Sequence, residues 1–221
     1  MHINWKGESC FQIIISRQRD EQISIIINPF SLKASNLPHL RVDILLLTQD
    51  NHRNNEMKTS IKGNPFLITT PGEYEIKDVF IQGISVVPFK SSQEISEKPN
   101  EMENMSNGII VYTIGAEGLR LCHLGEFKQK ELTINQISKI GDIDVLMVPI
   151  GGVSTISAEE ATKIVSQIEP RIVIPMFYEK TDSLNEFLKT MGQKSVEAID
   201  KFSIKKKNLS SDGTKVVVLN H

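Results

Sequence analysis

The stretch Val42-Asp43-Ile44-Leu45-Leu46-Leu47-Thr48 is apolar at both alternating sets of positions after one early aspartate. A strand with water on one side alternates apolar with polar, whereas one apolar on both faces belongs inside a sheet covered on both sides. Ile143-Asp144-Val145-Leu146-Met147-Val148-Pro149, in the second half of the chain, echoes it: β-branched residue, aspartate, apolar run. Two such buried strands point to an α/β protein, and the echo hints at two similar halves.

Working outward, the first half reads as strands. Phe11 to Ile15 and Ile23 to Ile27 are β-branched runs separated by the polar stretch 16–22, as in a hairpin. Phe66 to Thr69, Val79 to Val87, Ile109 to Ile114 and Leu119 to Cys122 are further strand candidates, with Pro71-Gly72-Glu73 a turn between two of them. The second half alternates strand and helix. Thr133 with Gln136 and Ser157 with Glu160 have capping-box spacing. The first box opens a helix stopping near Gly141, and the second a helix whose apolar face is Ala161, Ile164, Val165 and Ile168, ended by Pro170. Arg171 to Pro175 is another buried strand. Ser183 with Glu186 predicts a third helix stopped by Gly192, and Lys215 to Leu219 a closing strand. Strands first and strand-helix alternation afterwards argue for stacked sheets with helices outside, in one domain over 1–221. The segment 90–107, rich in Ser, Glu, Lys and Asn, reads as a mobile loop.

Composition narrows the function classes. The chain has 221 residues, 39% hydrophobic and 24% charged, with 25 Lys+Arg against 27 Asp+Glu. That apolar fraction and balance exclude a disordered chain. A net charge of -2 gives no general pull on nucleic acid. No apolar run approaches the ~20 residues of a membrane span. Two cysteines, Cys10 and Cys122, make no disulfide framework and read as buried small hydrophobes. A cytoplasmic protein without membrane partners is expected.

Several chemistries find little support. Ser9 beside Cys10 and the pair Ser154-Thr155 lack a Gly-x-Ser-x-Gly elbow. Gly151-Gly152 reads as a strand-to-helix turn rather than an anion cradle. Lys201, Lys205, Lys206 and Lys207 around Phe202 form a basic cluster, best read as a solvated face; a nucleic-acid module rests on it alone.

Taken in order, Trp5-Lys6-Gly7-Glu8-Ser9-Cys10-Phe11, Ile27-Asn28-Pro29-Phe30, Val42 to Thr48, Gly63-Asn64-Pro65-Phe66 and Pro71-Gly72-Glu73-Tyr74-Glu75 resemble segments of the metallo-β-lactamase fold. So do Cys122-His123-Leu124-Gly125-Glu126, Val148-Pro149-Ile150-Gly151-Gly152 and Ile174-Pro175-Met176-Phe177-Tyr178. The closest branch is the short, single-domain group of zinc-dependent hydrolases. The resemblance implies a four-layer αββα sandwich.

It also locates the metal ligands of active relatives. Their Thr-His-x-His-x-Asp-His motif reads Thr48-Gln49-Asp50-Asn51-His52-Arg53-Asn54 here, so Gln49, Asn51, Arg53 and Asn54 replace ligands. A later histidine position falls at Lys90, the Leu-Gly-Asp aspartate is Glu126, and the Pro-Met-His-Tyr histidine is Phe177. The early Gly-His-Ser-Ser-Phe histidine is Glu8. Amide oxygens are weak zinc ligands and a guanidinium is none. Of the seven ligand positions Gln49, Asn51, Arg53, Asn54, Lys90, Glu126 and Phe177, only Glu126 keeps a plausible donor, although Asp50, His52 and His123 lie near enough to it to raise a makeshift single-metal site.

From these substitutions the expectation is a metal-free, catalytically degenerate protein with a binding or scaffold role. No cofactor is expected, zinc being that of active relatives. Its partner would be an unidentified protein or a small anion, with pairing to an active relative or to its own copy also open, and nucleic acid disfavoured. Arg53, with or without Lys90, would either pair with Glu126 in the metal's place or turn outward to solvent. The alternative is a metal-dependent hydrolase of ester, phosphoester or lactone bonds with an atypical site.

Overall fold

A computed structural model of the chain describes residues 1–17, 21–29, 41–49, 61, 63–86, 108–179, 181–210 and 213–221. The strands are β1 (His2–Trp5), β2 (Phe11–Ser16), β3 (Gln22–Ile27), β4 (Ile44–Leu46), β5 (Phe66–Ile68), β6 (Gly72–Ile76) and β7 (Val79–Val86). They continue with β8 (Ile109–Ala116), β9 (Leu119–His123), β10 (Val145–Pro149), β11 (Ile172–Met176), β12 (Phe202–Ser203) and β13 (Lys215–Val216). The helices are α1 (Ile134–Ile140), α2 (Ala158–Ile168) and α3 (Thr181–Thr190). One sheet has the order β12-β1-β2-β3-β4-β5 and the other β13-β11-β10-β9-β8-β7-β6. The expected α/β architecture of stacked sheets with helices outside is what the chain forms.

Side-chain alternation explains the layers. Ile3, Phe11, Ile13, Ile25, Ile44 and Leu46 of the first sheet meet Ile81, Tyr112, Ile114, Leu121, Met147 and Ile174 of the second in the central core. The intervening residues of the second sheet, among them Val111, Leu146, Val148 and Val173, face outward and are covered by Ala161, Ile164 and Val165 of α2 and Phe187 and Leu188 of α3. That is why β10 is buried at every position. On the first sheet the alternate residues Ile26, Leu45 and Leu47 join Cys10, Val42 and Ile61 in a third cluster.

Both capping boxes form. Thr133 caps α1 through the Gln136 N–H and Ser157 caps α2 through the Glu160 N–H. Elsewhere local signals yield to pairing. Gly72 opens β6 instead of completing a turn, because residues 72–76 pair antiparallel with β7. Ser183 lies inside α3, which starts at Thr181, so it is not the predicted cap. Ladder bonds confine the first buried strand to Ile44–Leu46 and the last to Lys215–Val216. The segment 90–107 lies outside the described residues. Among the described residues, no helix is long and apolar enough to cross a membrane.

The topology brings one set of strand ends together. β3, β4 and β5 run parallel, as do β9, β10 and β11. Their carboxyl ends and the β1–β2 turn share one edge of the sandwich, the usual place for a site in sheets with parallel strands.

Candidate active site

At this edge the first sheet ends in a knot of buried, uncharged polar groups. Asn28, fully buried after β3, donates through Nδ2 to Ser9 Oγ (3.1 Å) and Thr48 Oγ1 (2.7 Å). Its Oδ1 accepts the Thr48 N–H (2.8 Å). The Thr48 carbonyl accepts the N–H of Ile110 in the opposite sheet (2.8 Å). Tyr112, also buried, donates its hydroxyl to the carbonyls of Leu47 (2.9 Å) and Ile68 (3.1 Å), and burial raises its pKa. The end of β4 is thus held from both sheets just before Gln49.

His123, 1% exposed at the end of β9, fixes the next segment. Its Nε2 faces the Ser9 carbonyl (3.0 Å) and its Nδ1 faces the Gly125 N–H (3.1 Å). A carbonyl can only accept and an amide N–H only donate, so the proton sits on Nε2. Burial holds the pKa down at about 4, opposed by the backbone hydrogen bonds. Gly125 has φ +63°, and a Cβ there would lie 2.9 Å from Thr48, so this close approach requires glycine.

Backbone strain singles out the same edge. Lys77, Asp78 and Glu117 have positive φ within hairpin turns, and Glu169 within a helix C-cap, where it is routine. Among the described residues, the other non-glycine residues with positive φ are Glu8 (47°), Asn28 (47°) and Phe177 (56°), all at the site. Left-handed backbone costs a side-chain-bearing residue about 1–2 kcal/mol. Neighbours hold it in place: the Glu8 carbonyl accepts the Phe177 N–H (3.0 Å) and Trp5 Nε1–H (2.8 Å). A Cβ on Gly151 would lie 2.3 Å from the Phe177 carbonyl oxygen, so β10 and β11 meet there only through glycine. These segments enclose a cleft of about 840 Å³ lined by Lys6, Glu8, Val153, Phe177, Tyr178 and Glu179, among others. Behind it the Thr155 hydroxyl is buried with no hydrogen-bond partner among the described residues.

Gln49, Glu126 and Phe177, placed by the sequence at ligand positions, follow β4, β9 and β11 and are half-buried. Asn51, Arg53, Asn54 and Lys90, with Asp50 and His52, lie outside the described residues, and so does the expected pairing of Arg53 and Lys90 with Glu126. His123 is no ligand candidate, since both ring nitrogens are engaged in holding backbone. Among the described residues, no three His, Cys, Asp or Glu side chains gather as a metal site would need. The described donors therefore do not fit a metal centre by themselves. The lysine cluster falls at the far edge, with Lys206 paired to Asp144 at 2.8 Å. Cys10 and Cys122 are buried, and burial pushes the Cys122 thiol up to about 12.

Sequence reasoning missed the part played by Asn28, Thr48 and Tyr112. The signal available was Asn28-Pro29 at the end of an all-apolar strand, since asparagine tolerates the left-handed conformation better than most residues.

Facing sheets, helices over one of them, and a cleft at the carboxyl ends of the parallel strands define the metallo-β-lactamase class of scaffold. The sequence profile of the β-lactamase superfamily domain matches residues 2–177, and the chain belongs to that family. It is similar to a UPF0173 metal-dependent hydrolase of Nanoarchaeum equitans, 29% identical over 90% of this chain and 95% of the relative. A UPF0173 protein of Pyrococcus abyssi is 30% identical over 80% of this chain and 83% of its own. Among solved structures, a Thermotoga maritima protein assigned to the zinc-dependent hydrolases of the metallo-β-lactamase superfamily superposes with a TM-score of 0.74. It is 27% identical and covers 99% of this chain and 97% of its own.

These relatives correct two expectations. The metal-free, degenerate protein with a binding or scaffold role is overturned by kinship along nearly the whole chain with proteins named metal-dependent hydrolases. The expectation of no cofactor falls with it, because the same names point to a metal. A lost ligand at one position does not remove donors a residue or two away.

Proposed function

We propose that the chain is a metal-dependent hydrolase acting on ester, phosphoester or lactone bonds at the cleft beside Gly151 and Phe177. The observation that supports this most is the strained edge itself. Glu8, Asn28 and Phe177 are held in left-handed backbone where the parallel strands end, and such strain persists where a site must keep its shape. Kinship with metal-dependent hydrolases supplies the reaction class. Glu126 is the acidic donor retained at a ligand position, and Asp50 and His52 are the neighbouring donors by residue type. Buried cysteines not joined in a disulfide suit a reducing compartment such as the cytoplasm.

The test is elemental analysis of protein purified without chelators or a metal-affinity step, combined with hydrolysis assays. 4-Nitrophenyl acetate, bis(4-nitrophenyl) phosphate and a γ-lactone are offered before chelation, after it, and after return of zinc or manganese. Near-stoichiometric metal and a rate that falls at least about tenfold on chelation are expected. Protein without metal and with no rate above buffer on any substrate overturns the proposal.

A further inference from the structure

The cleft's lining is more informative than its position. Val153 stands 99% exposed at its rim, on the loop between β10 and α2. A fully exposed β-branched side chain contributes nothing to the fold, and here it borders the half-buried Phe177 and Tyr178, which pack against the core. Phe177 occupies the place where active relatives are expected to carry an imidazole, and it does so in a backbone conformation that disfavours a bulky residue. Among the described residues the charged side chains of the lining are the carboxylates Glu8 and Glu179 and the ammonium of Lys6, beside the hydroxyls of Ser154 and Ser183 and the imidazole of His221. A phosphate dianion entering there meets two described carboxylates against one ammonium, whereas an uncharged apolar group meets Val153 and two aromatic rings. A volume of about 840 Å³ is ample for a small organic molecule.

We propose that this cleft binds an uncharged aromatic or acyl group, and that Phe177 is the residue setting that preference. As a statement about substrate, the proposal rests on the hydrolase reading and selects carboxylic esters and lactones over phosphoesters. As a statement about binding, it stands apart from any catalysis.

The chain contains its own reporter. Trp5, its single tryptophan, packs on Tyr178 at 5.1 Å between ring centroids, and donates to the Glu8 carbonyl that also receives the Phe177 N–H. Trp5 fluorescence of the full chain is therefore titrated with phenylacetamide, a neutral and slowly hydrolysed compound, and separately with phenyl phosphate. Phenylacetamide should give a saturable change, with phenyl phosphate at least about tenfold weaker. Phe177→Ala should weaken phenylacetamide about fivefold or more, and so should Val153→Ser. Because Val153 is exposed, its substitution keeps the test decisive if Phe177→Ala fails to fold.

No saturable change with phenylacetamide, equal or tighter binding of phenyl phosphate, or folded variants that bind phenylacetamide unchanged would each overturn the assignment. The two readings fail separately. Phosphodiester hydrolysis without phenylacetamide binding removes this inference and leaves the hydrolase. Phenylacetamide binding with no hydrolysis of any ester, phosphoester or lactone does the reverse.

Discussion

The two ends of the sandwich are built from different interactions. At the far end the paired groups are charged, Met1 and Asp144 buried and their partners and the Arg17–Asp78 pair nearer water. Glu117 takes the Ser16 N–H (2.7 Å) and the Met1 ammonium (2.6 Å), Arg17 pairs with Asp78, and Lys206 with Asp144. Among the described non-glycine residues there, positive φ falls in hairpin turns and in the helix C-cap at Glu169. At the site end, Ser9, Asn28, Thr48 and His123 are uncharged, buried and bonded to backbone or to one another. Ion pairs near water are weak and salt-screened, whereas a buried polar group that loses its partner costs the full penalty of desolvation. The chain thus places its least forgiving interactions where geometry matters for chemistry.

The sharpest way to break this contrast is Asn28→Ala. It strands the Thr48 N–H and two hydroxyls, and puts alanine at φ 47°. A loss of about 3–5 kcal/mol in urea denaturation is expected. A loss below 1 kcal/mol, on the order of a surface change, would mean that the knot does not hold the site end.

The second effect is on the pH axis. The pKa of His123 lies at about 4 in the fold, below its ordinary 6.5, so the unfolded chain binds the proton more readily. Its contribution is fully present above pH 6.5 and is lost as the pH falls toward 4. That loss is on the order of 3 kcal/mol from this group. The measurement is the denaturation midpoint between pH 7 and 4, with His123→Gln as the comparison. An identical slope in the variant assigns the acid lability to other groups.

The smallest effect belongs to the far end. Arg17→Ala removes a pair whose Asp78 side chain is 74% exposed, and should cost below about 0.5 kcal/mol, less still in high salt. A larger cost would erase the difference between the ends.

The layers were legible in sequence because burial on both faces leaves a long apolar signature, as in residues 145–149. The helix starts at Thr133 and Ser157 were legible because a capping box is a local event. β1, β6 and β12 were not. His2–Trp5 and Phe202–Ser203 are short, and they are strands because each pairs with a remote partner. At the site, residue types at single positions did not decide whether a metal is held, because a metal site is assembled from donors on several segments. The strain at Phe177 leaves no trace in sequence, since it depends on Glu8 and Gly151 closing around it.

The pairing of β1 with β12, His2 against Ser203 and Ile3 against Phe202, has a consequence for how the protein is made. β1 leaves the ribosome with one hydrogen-bonding edge that only β12, near the other end of the chain, will cover. At roughly 5–20 residues per second, on the order of 10–40 s of synthesis separates the two. Throughout that interval the growing chain presents an open edge beside the isoleucine-rich strands β2 and β3, the kind of template on which nascent chains pair with one another. Such long-range closure also slows folding after release. The yield of folded protein should therefore be limited by the time taken to seal this edge, with the stability of the finished sandwich a separate matter.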